Sequence, residues 1–312
     1  MILQTDVIRK LGLFIFLAIL IITFTILSDV FLTSNNFTNV IRRSSMTIIT
    51  ASIWTLLLIG GGMDVSVGGV MALSGCISAI LAVIGVPLLL AFLIGVSVGG
   101  LIGALNGFLT SYLGINPIIV TIATMNVSRG LAFLSNGGKA IVTGLPEGFT
   151  VLGRGYLGPI PIPIIIMLFI LFSSYFILNR VVWGRHICAI GGNVQAAELS
   201  GINVKKIYFI LYLATGLAAG LSGIMVASRL ASGQPRAGLG FEFDVITAVV
   251  LGGNSLRGGE GTILGTLLGV LIVSFLYNGL YLLGVGTFYQ YIFMGIILIL
   301  AVIIDTIVIR RH

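Results

Sequence analysis

The sequence predicts an all-α, polytopic integral membrane protein of about ten transmembrane helices, one of them short and broken, in a single domain over residues 1–312. Three observations carry that prediction. Only 8% of the residues are charged and 58% are hydrophobic, with a mean hydropathy of +1.19, whereas a soluble domain is about one quarter charged. The apolar residues come in stretches of about 20, the length a helix needs to cross a hydrocarbon layer. The basic residues gather at Arg9-Lys10, between Arg180 and Lys206, and at Arg310-Arg311, where the positive-inside rule places cytoplasmic ends.

In order along the chain, Leu11 to Leu27 follows the first basic pair. It is long for a signal-peptide core and no small-residue cleavage pattern follows, so it reads as an uncleaved first span. Six crossings are expected near 11–32, 46–63, 66–85, 88–112, 117–135 and 163–181. An even number returns the chain to the cytoplasm at the basic loop 184–206 and leaves 136–162 as an exposed external loop. The second half offers 207–230, 262–284 and 289–309. Between them, Asp244 to Asn254 is apolar but about half the length of a regular crossing. Counting it as an irregular crossing buried in protein brings Arg310-Arg311 inside, with both termini cytoplasmic. A weak echo points to an inverted repeat. Asp64-Val-Ser-Val precedes Asn106-Gly107, and Asp244-Val-Ile-Thr precedes Asn278-Gly279, in units that would run in opposite directions.

The loop 184–206 is the only extended polar segment between long apolar stretches. Asn193 can cap a helix with its body at Val194 to Ser200, and Gly201 can end it. Two turns do not hold by propensity alone, so this helix must pack against its own bundle or a soluble partner. Ala196, Ala197 and Ser200 leave a surface that another protein can approach closely. The loop reads as a docking element. Gly95, Gly99, Gly103 and Gly107, then Gly216 and Gly220, then Gly261, Gly265 and Gly269 recur every four residues, the spacing of helix-packing seams. No Gly-x-x-x-x-Gly-Lys-Ser/Thr occurs, so no Walker A loop binds ATP in this chain.

The formal charge of +7 does not signal nucleic acid, because no basic face or aromatic-interleaved basic stretch accompanies it. Cys76 in an apolar stretch and Cys188 in the basic loop do not suggest a disulfide. His186 and His312 lie off the spans, which removes a histidine-based metal or nucleophile site within the membrane. Asp64, after Gly60-Gly61-Gly62, and Glu242 with Asp244 fall near span ends, where water can solvate them. They read either as helix-end acids or as solute contacts. Arg129 either snorkels to the interface or holds an external gate. Asn106, Asn278 and Gln290 suit either interhelical hydrogen bonds or sugar hydroxyls.

Several stretches together resemble simple-sugar ABC transporter permeases, the ribose-type branch in particular. They are Met63-Asp-Val-Ser-Val-Gly68, Thr124-Met-Asn-Val-Ser-Arg-Gly-Leu131, Gly191 to Ile202, Ala231 to Ile246 continuing through Val250 to Gly259, and Asn278 to Val285 with Tyr289-Gln290. The resemblance runs from near residue 35 to the C-terminus. It implies a multi-pass subunit of a bacterial or archaeal inner membrane, paired with a second permease copy. It further implies a cytoplasmic ABC ATPase that binds the ATP and Mg2+, an extracytoplasmic sugar-binding protein, and no cofactor in this chain. By the resemblance, Gly191, Gly192, Asn193, Ala196, Ala197, Ser200 and Gly201 carry coupling to the ATPase. Asp64, Asn106, Arg129, Glu242, Asp244, Asn278, Tyr289 and Gln290 are candidates for the translocation path or gate. Phe288 stands where ribose-type members carry tyrosine and Phe243 where leucine is usual, departures that bear on the sugar more than on the class. The implied mechanism is alternating access with a weakly binding path, for no pocket stands out in the spans. An ion-coupled secondary transporter is the main rival. It needs an acid well inside the membrane, whereas these acids are expected near span ends. An intramembrane enzyme lacks a nucleophile with a base, and a channel lacks a polar filter motif.

Overall fold

The computed structural model describes the backbone of residues 2–309, with side chains for all of these but 2–10, 291, 301 and 304–309. Arg310, Arg311 and His312 lie outside the described residues, as do the side chains of Arg9, Lys10 and Asp305. The first half runs through α1 (Ile2–Leu27), α2 (Ser34–Ile59), α3 (Val67–Val83), α4 (Leu88–Ser111) and α5 (Pro117–Leu134). A connecting segment follows, with a 3-10 turn (Glu147–Thr150), α6 (Val151–Arg154), and β1 (Tyr156–Leu157) paired antiparallel with β2 (Ile160–Pro161). The rest is α7 (Ile162–Arg180), α8 (Val182–Gly192), α9 (Val194–Leu199), α10 (Val204–Leu230), α11 (Phe241–Leu251), α12 (Ile263–Leu282) and α13 (Thr287–Ile309). Helices α1–α5, α7 and α10–α13 occupy the ten expected crossings. By length and composition alone, α4, α5, α7, α10 and α12 are long and apolar enough to cross a membrane. Leu89, Leu101, Ile119, Phe169 and Phe172 are exposed on their outer faces, an apolar belt too large for a water-facing surface. This is a multi-pass membrane protein.

Polar caps set the helix limits. Thr33 accepts the Asn36 N–H at the start of α2, and Asn116 caps α5 just before Pro117. Thr262 does the same for α12. At the other end of α2, Gly61 adopts a φ of +87°, a backbone state that glycine enters without steric cost. The second crossing begins earlier than expected, at Ser34 rather than near residue 46. Its first three turns are polar, and hydropathy alone does not see them as helix. They line the polar cleft described below and are tied to α12 by the Asn36–Asn278 pair.

The interior is built on close backbone approach. A Cβ at Gly103 would lie 3.0 Å from the Gly216 Cα and would collide with the Tyr212 carbonyl, and one at Gly99 would lie 2.9 Å from the Gly220 Cα. The glycine stripes of α4 and α10 therefore face each other, as the spacing predicts. The third stripe serves α11 and α12 through Gly265 and Gly269, which abut the Gly252 and Ala248 carbonyls. Gly261 precedes the helix and packs on Ile59. Buried hydroxyls join the remaining contacts. Thr50 and Ser222 bond at 2.9 Å between α2 and α10, and Thr55 and Thr266 at 2.7 Å between α2 and α12.

Helix α11 spans eleven residues, about 16 Å at 1.5 Å per residue, roughly half a hydrocarbon layer. Its irregular continuation is buried and satisfied by Asn254. That side chain donates to the Val249 carbonyl at 2.8 Å and to Thr266 Oγ1 at 3.0 Å, and accepts the Thr262 N–H at 2.6 Å. Non-helical backbone is tolerated at membrane depth on these terms. Helices α3 and α11 start side by side, where Gly68 meets Gly238 and Glu242, and run away from each other, as an inverted echo requires. The match is loose: α3 has seventeen residues, and Asp64 precedes α3 whereas Asp244 lies within α11.

The expectation of an exposed loop at 136–162 is corrected in part. Phe149 is buried against Phe92, with ring centroids 5.6 Å apart. The Gly153 N–H donates to Ser228 Oγ at 2.7 Å, and Ile141 pairs with Gly233 as a bridge. The segment is held because its backbone groups find partners on the end of α10 and the loop beyond.

Substituting Gly103→Ala should destabilise the protein by about 1–3 kcal/mol, seen as a lower melting temperature in detergent. Gly130→Ala, where an added Cβ meets nothing within 4 Å, should leave that temperature unchanged.

Candidate functional site

At the basic-loop end, α9 stands on the bundle as a short exposed ledge. Asn193 Oδ1 accepts the Ala196 N–H at 2.9 Å, and Gly201 turns the chain with a φ of +81°, as the sequence predicts. The contact surface differs from expectation. Ala197 is only 3% exposed, packed with Ile187, Ile190, Val204 and Ile207, so it anchors α9 to the bundle and presents nothing outward. The outward residue is Leu199, 90% exposed, with Gln195, Ala196, Glu198 and Ser200 around it. Gly192 is open, whereas Gly191 is pressed against the Ile59 carbonyl and Gly259. The Gly259 N–H donates to the Ile59 carbonyl at 2.7 Å, and Tyr208 Oη donates to the Gly60 carbonyl at 2.7 Å. The ledge thus rests directly on the Gly60-Gly61-Gly62 break.

Beyond that break, Asp64 is not a solvated helix-end acid. It is 1% exposed, a correction to the expectation that water reaches it. Ser66 donates to its Oδ1 through the backbone N–H at 2.8 Å and the hydroxyl at 2.6 Å. Asn106 donates to Ser66 Oγ at 3.0 Å and accepts from Thr124 at 2.7 Å, while Trp54 donates to the Asp64 carbonyl at 2.7 Å. Asp64 Oδ2 has no partner among the described residues. Asp64 and Asn106 therefore tie α3, α4 and α5 together, and neither lines either of the two cavities described below.

Further along α5, Arg129 does not snorkel. Its guanidinium donates to the carbonyls of Pro235, Ala237 and Gly238, at 3.0 Å for Pro235 and 3.1 Å for Gly238, clamping the turn that leads into α11. Glu242, one turn further, is also buried, at 7% exposed, against Gly68. This again corrects a solvated reading, and Glu242 Oε2 has no hydrogen-bond partner among the described residues. The reason in each case is a neighbouring helix that covers a position whose own sequence lies next to a loop.

At the far end, between α2, α10, α11, α12 and α13, lies an open cleft of about 410 Å³, within the range of small-molecule sites. Its wall includes Asn36, Asn39, Arg43, Arg229, Asp244, Tyr277, Asn278, Tyr281 and Gln290. Asn36 and Asn278 pair reciprocally through their carboxamides, each bond at 2.9 Å. Tyr277 Oη donates to Asp244 Oδ1 at 3.0 Å, and Gln290 Nε2 to the Val285 carbonyl at 2.9 Å. Arg42 lies over the Tyr156 ring, 4.9 Å from its centroid, and Arg154 donates to the Arg229 carbonyl at 2.6 Å. Of the predicted path residues, the cleft gathers Asp244, Asn278 and Gln290. Asp64, Asn106, Arg129 and Glu242 lie elsewhere in the protein, and Tyr289 is 64% exposed and does not line it.

A family model described as branched-chain amino acid transport system / permease component matches residues 36–302. The chain belongs to this permease family. The permease is 43% identical over 300 residues to the ribose import permease protein RbsC of Bacillus subtilis, covering 96% of this chain and 93% of that protein. It is 37% identical over 301 residues to the D-allose transport system permease protein AlsC of Escherichia coli, covering 96% and 92%. It is likewise 37% identical over 301 residues to the L-arabinose ABC transporter permease protein AraH of Azospirillum brasilense, covering 96% and 88%. No solved structure matches the permease significantly.

Sequence reasoning missed Leu199, Asn36, Asn39, Arg43, Arg229 and Tyr277. A signal existed for one group: Ser34 to Arg43 is the polar start of a chain segment that continues as an apolar helix, which marks a face turned to protein or water. Nothing local distinguishes Tyr277 or Arg229.

A double-mutant cycle on Asn36→Ala and Asn278→Ala should give a coupling of about 0.6 kcal/mol, and no more than about 1.7, in detergent unfolding. Arg129→Gln should weaken the clamp by about 1–3 kcal/mol and speed proteolysis within 231–240 relative to 136–146.

Proposed function

We propose that the permease is the membrane-spanning subunit of an ATP-driven ABC importer of a monosaccharide, ribose or a closely similar pentose. The observation that carries the reading is similarity along the full chain to permeases named for ribose, allose and arabinose. The family description names branched-chain amino acids, but a polar cleft with a carboxylate, carboxamides and tyrosines suits hydroxyls better than an aliphatic side chain. On this reading the basic-loop end is cytoplasmic, both termini lie there, and the cleft opens to the outside of a bacterial or archaeal inner membrane. The chain is not itself an enzyme. A cytoplasmic ATPase holds ATP and Mg2+ and docks on α9, a second copy of the permease completes the membrane unit, and an extracytoplasmic sugar-binding protein supplies solute.

The ledge geometry supplies the coupling. Leu199 is an apolar anchor on a polar, exposed turn, the kind of side chain that seats in a partner's pocket. Ala197 and the Gly191–Ile59 contact carry any displacement of α9 into α10 and into the break at Gly60. ATP-driven closure of the partner then rocks the bundle between outward and inward access. Disruption of 193–201 with transport intact would sink this mechanism.

One observation favours the rival reading. Asp64 and Glu242 are buried carboxylates, as an ion-coupled transporter requires, so the expected position of the acids no longer argues against it. Against it stands the exposed Leu199 ledge, which a transporter acting alone does not need.

Purification of the tagged protein from host membranes in mild detergent should recover an ATPase. Leu199→Asp should reduce that recovery at least tenfold and abolish sugar uptake while the permease stays folded. Uptake by the permease alone, driven by a proton or sodium gradient without ATP, would establish the rival.

A further inference from the structure

Asp244 and Tyr277 line more than the polar cleft. Below it lies a second cavity of about 390 Å³, whose wall is apolar apart from Thr247 and this same pair. Both cavities share Leu239, Asp244 and Tyr277, so the hydrogen-bonded pair stands at the junction between them. The order along the helices is consistent. On α13, Gln290 lines the polar cleft while Met294 and Leu298 line the second cavity, and Leu298 lies about 12 Å further along the helix axis than Gln290. On α11, Thr247 lies one turn beyond Asp244. On α12, which runs the other way, Asn278 and Tyr281 lie on the polar side of Tyr277. Three helices thus place the polar chamber outermost, the apolar chamber deeper, and the Asp244–Tyr277 pair between.

We propose that this pair is the selectivity gate of the sugar path, where hydroxyls of a passing monosaccharide replace the Tyr277–Asp244 hydrogen bond. The proposal rests on the monosaccharide-importer reading. Tyr277 donates to one carboxylate oxygen at 3.0 Å, and an ionised carboxylate has about four acceptor sites, so it can take two sugar hydroxyls once the tyrosine swings aside. The phenol can then donate to a ring or hydroxyl oxygen of the same solute. Past the pair, the apolar chamber offers only the single hydroxyl of Thr247, while Met294 and Leu298 offer no hydrogen bonds. A sugar is therefore held at the gate and released past it. The clamp of Arg129 on residues 235–238 fixes the start of α11 and with it the position of Asp244. Gate and binding-protein selectivity are separable, because the binding protein is the same for every variant.

The test is uptake of radiolabelled ribose and of 2-deoxyribose by the complete transporter, permease with its ATPase and binding protein, in proteoliposomes. In wild type, ribose should be moved. Asp244→Asn and Tyr277→Phe should each change the ribose to 2-deoxyribose ratio by about tenfold or more, while ATP hydrolysis stimulated by loaded binding protein persists. Tyr289→Phe, off the cleft, should leave the ratio unchanged. An unaltered ratio in both gate variants overturns the proposal with the importer reading intact. If wild type moves no monosaccharide, the importer reading itself fails. Should the gate variants not assemble, Thr247→Cys in a Cys188→Ser background answers instead. A charged, membrane-impermeant thiol reagent should modify it, and cycling with ribose and ATP should change the rate at least threefold. Modification by an uncharged reagent alone marks the deeper cavity as a lipid groove and overturns the proposal.

Discussion

The close approach of α4 to α10 at Gly99, Gly103, Gly216 and Gly220 is the constraint on which the rest of this structure depends. In lipid there is no hydrophobic drive between helices, so association rests on packing and on interhelical hydrogen bonds. Removing every Cβ from the seam brings the backbones into contact and places α10 in the middle of the bundle. From there it reaches both functional ends. Its first turns hold α9 through Ile207 and the Gly60–Met63 break through Tyr208 and Tyr212. Its last turn brings Arg229 to the polar cleft and Ser228 to the segment at Gly153. At 27 residues it is a strut of about 40 Å that joins the α9 ledge to the cleft.

A second requirement follows from the half-length α11. A helix that stops inside the membrane leaves backbone groups that lipid cannot satisfy. Asn254 answers this at one end, and the Arg129 clamp on three carbonyls answers it at the other. Between those two anchors, Asp244 is held at a defined depth, and α13 packs alongside to form the wall of the two cavities. The irregular crossing and the candidate path are thus the same feature, because only where the helix is interrupted can polar groups converge without a lipid-facing cost.

Four arginines, Arg42, Arg43, Arg154 and Arg229, sit at the end opposite the basic loop. All four are held by protein groups or line the cleft wall: Arg42 stacks on Tyr156, Arg154 bonds a carbonyl, and Arg43 and Arg229 line the cleft.

Much was legible from residues alone. Run lengths of apolar residues located ten crossings, including the interrupted one, because the hydrocarbon layer imposes a length that local composition must meet. The Asn193 cap, the Gly201 stop and the glycine seams were legible because capping and close packing act over three or four residues. Depth and partnership were not. Whether Asp64 meets water depends on Trp54, Asn106 and Thr124 arriving from three other helices, and whether Ala197 faces a partner or the bundle depends on Ile187 and Ile207. The Asn36–Asn278 pair joins residues 242 positions apart, and the junction at Asp244 and Tyr277 exists only where α11, α12 and α13 meet. Local sequence determines what each segment is able to be, because caps, helix length and lipid exposure are short-range. Tertiary structure decides what each polar group touches, because in a bundle those partners come from other helices.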